Sequence, residues 1–189
     1  MMKRVFERAF NQSHGVVLDV GCGPKLTTPP PKGLLVGVDI NESYLLKYTG
    51  GFLDVDPQSV FHPPVSRNRL GFLAPADRLP FAEGSFDEAR ATGFLHHLPN
   101  DQLIEAIREM HRCLRKGGRL IALEDVWPLR AWARPLAWLI RRLDRGDYMR
   151  TQEELLKLFQ EACQGTWECS RYTYTLTGTE LLYLRLIKK

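Results

Sequence analysis

The sequence predicts an α/β protein whose sheet is mostly parallel. Residues 16–20 form an apolar run that ends in the turn Gly21-Cys22-Gly23, as a buried parallel strand does where a ligand meets its carboxyl end. Further strand-like and helix-like segments follow it along the chain. Two β-rich runs, 167–176 and 181–188, are joined around Gly178 and predict a terminal antiparallel hairpin.

The composition is that of one folded domain over residues 1–189. The chain is 44% hydrophobic and 25% charged, which supplies a core of ordinary size, and its net charge of +4 is mild. Its four cysteines form no C-x-x-C pair and no metal-ligand spacing, so we expect reduced thiols, no metal and a cytoplasmic location. We also expect neither a signal peptide nor a membrane-spanning helix, because no apolar run is long enough for one.

The predicted elements of the N-terminal half are short. They are, in order, a helix over 2–12, strands over 16–20 and 34–39, a helix over 41–48, and a short strand near 72–73 within an irregular loop from 50 to 73. Three consecutive prolines at 29–31 forbid a regular helix between the first two strands. We therefore expect a short extended or one-turn connection over residues 24–33.

The C-terminal half carries longer helices. Its predicted elements are a strand over 85–92, a helix over 100–114, a strand over 119–124, an amphipathic helix over 129–143, a helix over 151–162 and the hairpin. Asn100 is expected to cap the first of these helices, and Lys116-Gly117-Gly118 to end it. Thr151 and Glu154 have the spacing of a capping box at the start of the last helix.

A glycine turn and two acids follow successive strands of the predicted sheet. The turn at 21–23 lets a ligand lie against the backbone, because glycine has no Cβ and adopts positive φ. Asp39 ends the second strand, where a carboxylate accepts hydrogen bonds from the two hydroxyls of a ribose. Asp77, followed by Arg78 and Leu79, suits an adenine, since the carboxylate accepts from the amino group and a backbone N–H donates to the ring. Together these residues predict a nucleoside-containing ligand.

Six short motifs extend this pattern. They are Asp-Val-Gly-Cys-Gly at 19–23, Val-Gly-Val-Asp at 36–39, Ala-Asp-Arg-Leu-Pro-Phe at 76–81, Gly-Ser-Phe-Asp at 84–87, Phe-Leu-His-His-Leu at 94–98 and Leu-Arg-Lys-Gly-Gly-Arg-Leu at 114–120. In this order the set resembles the class I S-adenosylmethionine-dependent methyltransferases, and especially the branch that acts on small molecules. The resemblance covers about residues 16–125. It implies a Rossmann-like three-layer sandwich with a seven-stranded, mostly parallel sheet and a C-terminal antiparallel hairpin.

The resemblance also implies which residues bind S-adenosylmethionine. They are Asp19, Gly21, Cys22 and Gly23 at the first turn, Lys25 behind it, Asp39 and Ile40 after the second strand, Asp77, Arg78 and Leu79, and Thr92, Gly93 and Phe94 at the end of the fourth strand. Lys25 departs from the family pattern, which usually has a third glycine there. Two interpretations stay open: Lys25 supplies a positive charge to the carboxylate of the ligand, or it points to solvent.

Methyl transfer to a hydroxyl or a protonated amine benefits from a general base. The candidates are His96, His97, Glu124 and Asp125, which follow strands at the expected site edge. The first three are the predicted catalytic residues, and histidine titrates near neutral pH. The alternatives are that the histidines pack at a helix start, and that Glu124 and Asp125 bind a substrate amine or cap the next segment.

Residues 126–150 are expected to form a lid. The segment holds three tryptophans and several arginines, of which Arg130, Arg134, Arg141 and Arg145 have roughly helical spacing. One interpretation is a basic amphipathic helix that meets a membrane surface or an anionic acceptor. The other is a cap helix with its apolar face on the core and its arginines in water.

The function predicted from the resemblance is in-line methyl transfer to a small or lipid-like acceptor, with S-adenosylhomocysteine as product. The alternative is a non-catalytic S-adenosylmethionine-binding sensor or partner subunit, suggested by Lys25 and by the missing helix after the first strand. A nucleic-acid methyltransferase is disfavoured because Thr92-Gly93-Phe94 replaces an Asn/Asp-Pro-Pro-aromatic motif. A nicotinamide dehydrogenase is disfavoured because the third glycine is absent. The short N-terminal segment suggests an open site for a bulky acceptor or a site completed by a second subunit.

Overall fold

The computed structural model describes residues 9–10, 13–24, 32–49, 69–143, 146–174 and 176–189. Most of the predicted helix over 2–12, most of the proline-rich connection and most of the loop from 50 to 73 lie outside these residues.

The described residues contain seven strands, which form one sheet in the order β3-β2-β1-β4-β5-β7-β6. The strands are β1 (His14–Val20), β2 (Lys32–Asp39), β3 (Arg69–Leu73), β4 (Phe86–Thr92), β5 (Leu114–Val126), β6 (Glu168–Thr173) and β7 (Glu180–Ile187). Strands β1 to β5 are parallel, and β7 pairs antiparallel with both β5 and β6. The predicted mostly parallel sheet with a C-terminal hairpin is confirmed. The carboxyl ends of β1, β2, β4 and β5 therefore meet at one edge.

Four helices pack around this sheet within the described part of the chain. They are α1 (Glu42–Thr49), α2 (Asn100–Cys113), α3 (Pro135–Arg142) and α4 (Gln152–Ala162). Helix α2 buries Leu103, Ile107 and Met110 at helical spacing against β4, β5 and α4. The predicted capping box is present at α4, where Thr151 and Glu154 each accept the other's backbone N–H. None of the described helices is long and apolar enough to cross a bilayer.

The end of α2 differs from the prediction. The helix ends at Cys113, and β5 begins directly at Leu114, which pairs with Phe86. Lys188, at the far end of the chain, contacts the backbone at this junction. Its ammonium donates to the carbonyls of His111 (3.0 Å), Arg112 (3.2 Å) and Leu114 (2.8 Å), so a distant cation satisfies the final carbonyls of the helix.

The predicted helix over 129–143 is interrupted. A 3-10 turn at Ala131–Ala133 is followed by α3, which begins at Pro135. Proline disfavours the helical conformation in the residue before it, and Arg134 accordingly has φ −134° and ψ 60°. The pattern correctly identified the amphipathic spacing, but the proline divides the segment in two.

The orientation of α3 contradicts the second interpretation, a cap helix with its apolar face on the core and its arginines in water. Ala137 and Arg141 are buried, and Arg141 pairs with Asp125. Arg134 pairs with Glu180. The arginines of α3 therefore do not form one solvated stripe, and its apolar face does not lie on the core. Arg145 lies outside the described residues.

Glu180 anchors this end of the molecule to the hairpin. Its buried carboxylate accepts from the Leu129 N–H at 2.8 Å and pairs with both Arg134 and Arg171. A buried carboxylate with several charge-assisted donors is costly to remove, because the arginines then lose their counter-charge in a dry environment.

We expect Glu180→Ala to lower the free energy of unfolding by about 3 kcal/mol, because it leaves buried cations uncompensated. The matched control on the same hairpin is Glu168→Ala. The Glu168 carboxylate is exposed beside Arg185, and this ion pair contributes less than about 1 kcal/mol to the free energy of unfolding. Urea unfolding followed by circular dichroism measures both. Equal losses in the two variants would contradict the role assigned to Glu180.

Candidate functional site

A cavity of about 220 Å³ opens at the sheet edge where β1, β2 and β4 end. Five residues predicted from the sequence line it, namely Gly21, Asp39, Ile40, Asp77 and Phe94. Leu98 and Gln102 also line it, and the sequence analysis missed both. They lie in the turn after β4 and on the first turn of α2. Leu98 is the last residue of the Phe-Leu-His-His-Leu motif, and the only sequence signal for Gln102 is its proximity to that motif.

The turn after β1 is held by the end of β2. The N–H groups of Gly21 and Cys22 donate to the Val38 carbonyl at 2.8 and 3.1 Å. The Asp39 carboxylate accepts from the Gly23 N–H at 3.0 Å and from the Asn41 N–H at 2.9 Å. Each carboxylate oxygen accepts one of these two bonds and keeps acceptor capacity for a ligand hydroxyl.

Gly21 is required by close packing as well as by its conformation. Its φ is 65°, and an ideal Cβ built on it would lie 2.0 Å from Cγ of Phe94. Gly23 has a similar φ of 60° but has no heavy atom within 4 Å of its ideal Cβ position. Gly21 therefore allows the Phe94 ring to pack against the backbone, and Gly23 leaves open space beside the backbone.

Asp77 is exposed in a short segment that forms another wall of the cavity. The Ala74 N–H donates to the Asp39 carbonyl at 3.2 Å, which ties this segment to the end of β2. The Leu79 N–H donates to Glu109 of α2 at 2.9 Å, and Leu79 itself is buried. The Leu79 N–H is thus engaged by Glu109, and the contact of Leu79 with an adenine stays a prediction.

Arg78, next to Leu79, is exposed, and its N–H donates to the Pro75 carbonyl at a longer 3.3 Å. The sequence analysis missed Glu109 and Arg112, which together fix the Leu79 backbone from α2. These contacts join residues some 30 positions apart, and no local pattern signals them.

Asp19 and Cys22 lie beneath the turn rather than in the cavity wall. The Asp19 carboxylate is buried, accepts from the Tyr48 hydroxyl at 3.0 Å and lies 3.6 Å from the Arg90 guanidinium. Burial raises the pKa of this carboxyl, against the opposing effect of Arg90. Burial also raises the pKa of the Cys22 thiol, which stays protonated at neutral pH. Lys25 lies outside the described residues.

Glu124 organises the turn after β4. Its buried carboxylate accepts from the N–H groups of Phe94 and Leu95 at 2.9 and 3.0 Å. Just before these residues, Gly93 takes φ 57° and donates its N–H to the Leu123 carbonyl. The Thr92 hydroxyl oxygen is buried and makes no hydrogen bond to the part of the chain that the structure describes. Glu124 therefore fixes the backbone at the cavity mouth.

The three predicted catalytic residues separate into buried and exposed groups. Glu124 also contacts Nδ1 of His96 at 3.1 Å, and both side chains are buried. The His96 ring leaves no room for a side chain at Gly146, whose ideal Cβ would lie 2.0 Å from Cδ2. His97 is exposed, with its ring centroid 4.3 Å from that of His96. Only His97 of the three is open to solvent.

Arg150 joins the predicted lid to this turn. Its buried guanidinium donates to the carbonyls of Leu95 and Leu98 at 3.1 and 2.6 Å and to the Asn100 side chain at 2.8 Å. Burial lowers the pKa of Arg150, and nearby acids including Glu124 oppose this shift. The sequence carries no signal for this contact, since Arg150 stands alone in a loop about 50 residues from its partners.

The cavity fits the nucleoside part of S-adenosylmethionine. Asp39 offers acceptors for hydroxyls, Asp77 is an acceptor on the opposite wall, and the remaining lining is largely apolar. The open space at Gly23 gives a polar ligand direct access to the backbone.

A family model described as a methyltransferase domain matches residues 18–122. Among curated proteins, the ubiquinone/menaquinone biosynthesis C-methyltransferase UbiE of Pseudomonas fluorescens is 33% identical over 141 residues, or 69% of this chain and 51% of that protein. The 27-O-demethylrifamycin SV methyltransferase of Amycolatopsis mediterranei is 34% identical over 115 residues, or 58% of this chain and 38% of that protein. The chain thus spans about half the length, or less, of these curated relatives.

Solved structures share the fold. The YcgJ protein of Bacillus subtilis has a TM-score of 0.69 at 17% identity, over 100% of this chain and 97% of that one. The 1,6-didemethyltoxoflavin-N1-methyltransferase of Burkholderia thailandensis, solved with S-adenosylhomocysteine, has a TM-score of 0.68 at 18% identity, over 100% of this chain and 76% of that one.

We expect Gly21→Ala to weaken S-adenosylhomocysteine binding by at least about tenfold, because the new methyl group displaces the Phe94 ring into the cavity. The matched control is Gly84→Ala. Gly84 has a similar φ of 72°, but the nearest atom to its ideal Cβ is at 3.9 Å. Calorimetric titration measures both. Unchanged affinity in Gly21→Ala, or an equal loss in both variants, would contradict this account.

Proposed function

The chain belongs to the class I S-adenosylmethionine-dependent methyltransferase family, and from this membership we propose that it methylates a small, lipid-like acceptor. The single observation that supports the proposal best is the meeting of the glycine turn, Asp39 and Asp77 around one apolar cavity. These residues come from separate segments, and the parallel sheet brings them to one edge.

In the proposed complex the chain holds S-adenosylmethionine through three groups. Asp39, already oriented by Gly23 and Asn41, accepts from the ribose hydroxyls. Asp77 accepts from the adenine amino group. The glycine turn faces the methionine portion, where open space at Gly23 admits polar groups to the backbone.

Bound S-adenosylmethionine supplies an electrophilic methyl group on its sulfonium. The chain contributes orientation, because a rigid site holds the acceptor in line with that methyl group and so lowers the entropic part of the barrier. Phe94 and Leu98 form an apolar wall that excludes water. Residues 126–150, joined to the β4 turn through Arg150, form the proposed lid.

His97 is the proposed general base. It is exposed beside the cavity mouth, between Phe94 and Leu98, which both line the cavity. His96 and Glu124 are positioning residues, because their side chains are buried and contact each other. The proposed proton passes to the His97 ring from an acceptor hydroxyl as the methyl group is transferred, or from an acceptor ammonium group before the transfer, which frees the nitrogen lone pair.

The acceptor class is inferred from the relatives and from the cavity. UbiE is named for ubiquinone and menaquinone biosynthesis, and the second relative for a rifamycin, so both names refer to small organic molecules. The largely apolar cavity lining favours an amphiphilic acceptor of that kind.

The proposal is tested in two steps with purified protein. Calorimetry first measures binding of S-adenosylmethionine and S-adenosylhomocysteine, and methyl-labelled S-adenosylmethionine is then offered with quinone, phenol, macrolide and lipid acceptors. Binding with transfer to one class supports the proposal. Binding without transfer to any acceptor favours the sensor alternative, and absence of binding overturns both.

We expect Asp39→Asn to weaken S-adenosylhomocysteine binding by about tenfold or more, because charge-assisted hydrogen bonds contribute about 1.5–3 kcal/mol each. Asparagine keeps the size of the side chain and one acceptor oxygen for the turn. Glu105→Gln on α2 removes the same charge from an exposed ion pair and serves as the control. Equal affinities for the Asp39→Asn variant and the unmodified protein would refute the assignment of Asp39.

We expect His97→Ala to lower kcat by about a hundredfold or more with the acceptor found in the screen, because general-base catalysis contributes about that much. Affinity for S-adenosylhomocysteine should stay within about twofold of the original value, since His97 does not line the cavity. His14→Ala removes an exposed histidine from the opposite edge of the sheet and is the control. An unchanged kcat in His97→Ala removes His97 from the mechanism.

A further inference from the structure

The outward face of α3 and the turn before it is apolar. Trp132 is 85% exposed, Leu136 53%, Leu139 48% and Leu143 74%. Leu136, Leu139 and Leu143 follow one face of α3 and its C-cap at helical spacing, and Trp132 is exposed in the 3-10 turn before the helix. We call these four residues the apolar stripe. A contiguous exposed apolar surface of this kind marks an interaction site rather than ordinary surface.

The inward face fixes this orientation. Ala137 is fully buried, Arg141 pairs with Asp125, and Arg134 pairs with Glu180. A rotation of the helix that buried the leucines would separate Arg141 and Arg134 from their acidic partners. Removing one partner from a buried ion pair costs about 3–5 kcal/mol, so the apolar stripe stays outward.

The border of the stripe is cationic. Residues 127–143 contain four arginines and no acid. Two of these arginines, Arg130 and Arg142, are exposed. The Arg142 guanidinium lies 5.6 Å from the Trp138 ring centroid, a cation–π contact that holds a charge beside an aromatic side chain. Tryptophan, leucine and arginine arranged in this way match the interface of an anionic bilayer, where acyl chains meet negative headgroups.

A second copy of the chain fits this surface less well. In a two-fold dimer the same patch meets itself, so Arg130 and Arg142 of each copy would approach the same residues of the other. Like charges facing each other at an interface are unfavourable. An anionic lipid surface satisfies both the apolar stripe and its cationic border.

We propose that the apolar stripe, Trp132, Leu136, Leu139 and Leu143, with Arg130 and Arg142 at its border, docks on the surface of an anionic lipid bilayer. The stripe enters the boundary between headgroups and acyl chains, and the arginines stay at the headgroups. This segment begins after Val126, where β5 reaches the edge that carries the cavity. Docking therefore brings the cavity edge close to the membrane, where amphiphilic molecules concentrate.

Flotation with vesicles tests the proposal. The purified full chain is mixed with vesicles of phosphatidylcholine containing phosphatidylglycerol, or of phosphatidylcholine alone, at low and high salt. We expect flotation with the anionic vesicles, weakened by salt because the arginines contribute through charge. The double variant Trp132→Ser/Leu136→Ser should lower the partition coefficient at least tenfold. Arg142→Gln should lower the partition coefficient with the anionic vesicles. It should also make the partition coefficient depend less steeply on salt concentration.

The matched control is Ile187→Ser. Ile187 is 49% exposed, much like Leu139, but it lies at the opposite edge of the sheet. This variant should float like the unmodified protein. Thermal unfolding and S-adenosylhomocysteine titration verify that each variant is folded, and because flotation needs no methyl transfer, failure of the proposed activity leaves the result interpretable.

Three outcomes overturn the proposal. The first is no flotation with anionic vesicles at low salt. The second is flotation that the double variant and the control reduce equally. The third is a dimer in light scattering that Trp132→Ser/Leu136→Ser dissociates, which assigns the stripe to a second copy of the chain.

Discussion

The candidate site depends on carboxylates that reach from one strand end to the turn of the neighbouring strand. Asp39 at the end of β2 holds the Gly23 N–H of the β1 turn, and Glu124 near the end of β5 holds the Phe94 and Leu95 N–H groups of the β4 turn. Turn N–H groups at a sheet edge need acceptors once they leave the ladder. A carboxylate supplies them with charge-assisted bonds, and the turns thereby become rigid walls of the cavity.

The sheet could be predicted because its signals are local. Apolar runs ending in glycine or aspartate identified β1 and β2, and the capping box at Thr151 identified the start of α4. The cavity-lining residues Gly21, Asp39 and Asp77 were also found, since strand order brings their positions together. The hydrogen-bond partners of individual backbone groups could not be predicted in this way. The Leu79 N–H is taken by Glu109, thirty residues away, and no sequence pattern reports such a contact.

The orientation of α3 stayed open between two interpretations for the same reason. Helical periodicity shows that apolar and basic residues occupy opposite sides, but it does not show which side faces the core. That choice is made by Asp125 and Glu180, which lie outside the helix and need cationic partners. Lys188 is a comparable case, because a charge at the far end of the chain binds the carbonyls where α2 ends and β5 begins.

One strand end supports both the site and the apolar stripe. Glu124 and Asp125 are consecutive in β5, so their side chains point to opposite faces of the sheet. Glu124 holds the turn at the cavity, and Asp125 on the other face pairs with Arg141. At 100° per residue, a helix that turns Arg141 inward also turns Ala137 inward and directs Leu136, Leu139 and Leu143 outward. The exposed stripe therefore follows from the need to neutralise Asp125, one residue beyond the acid that shapes the site.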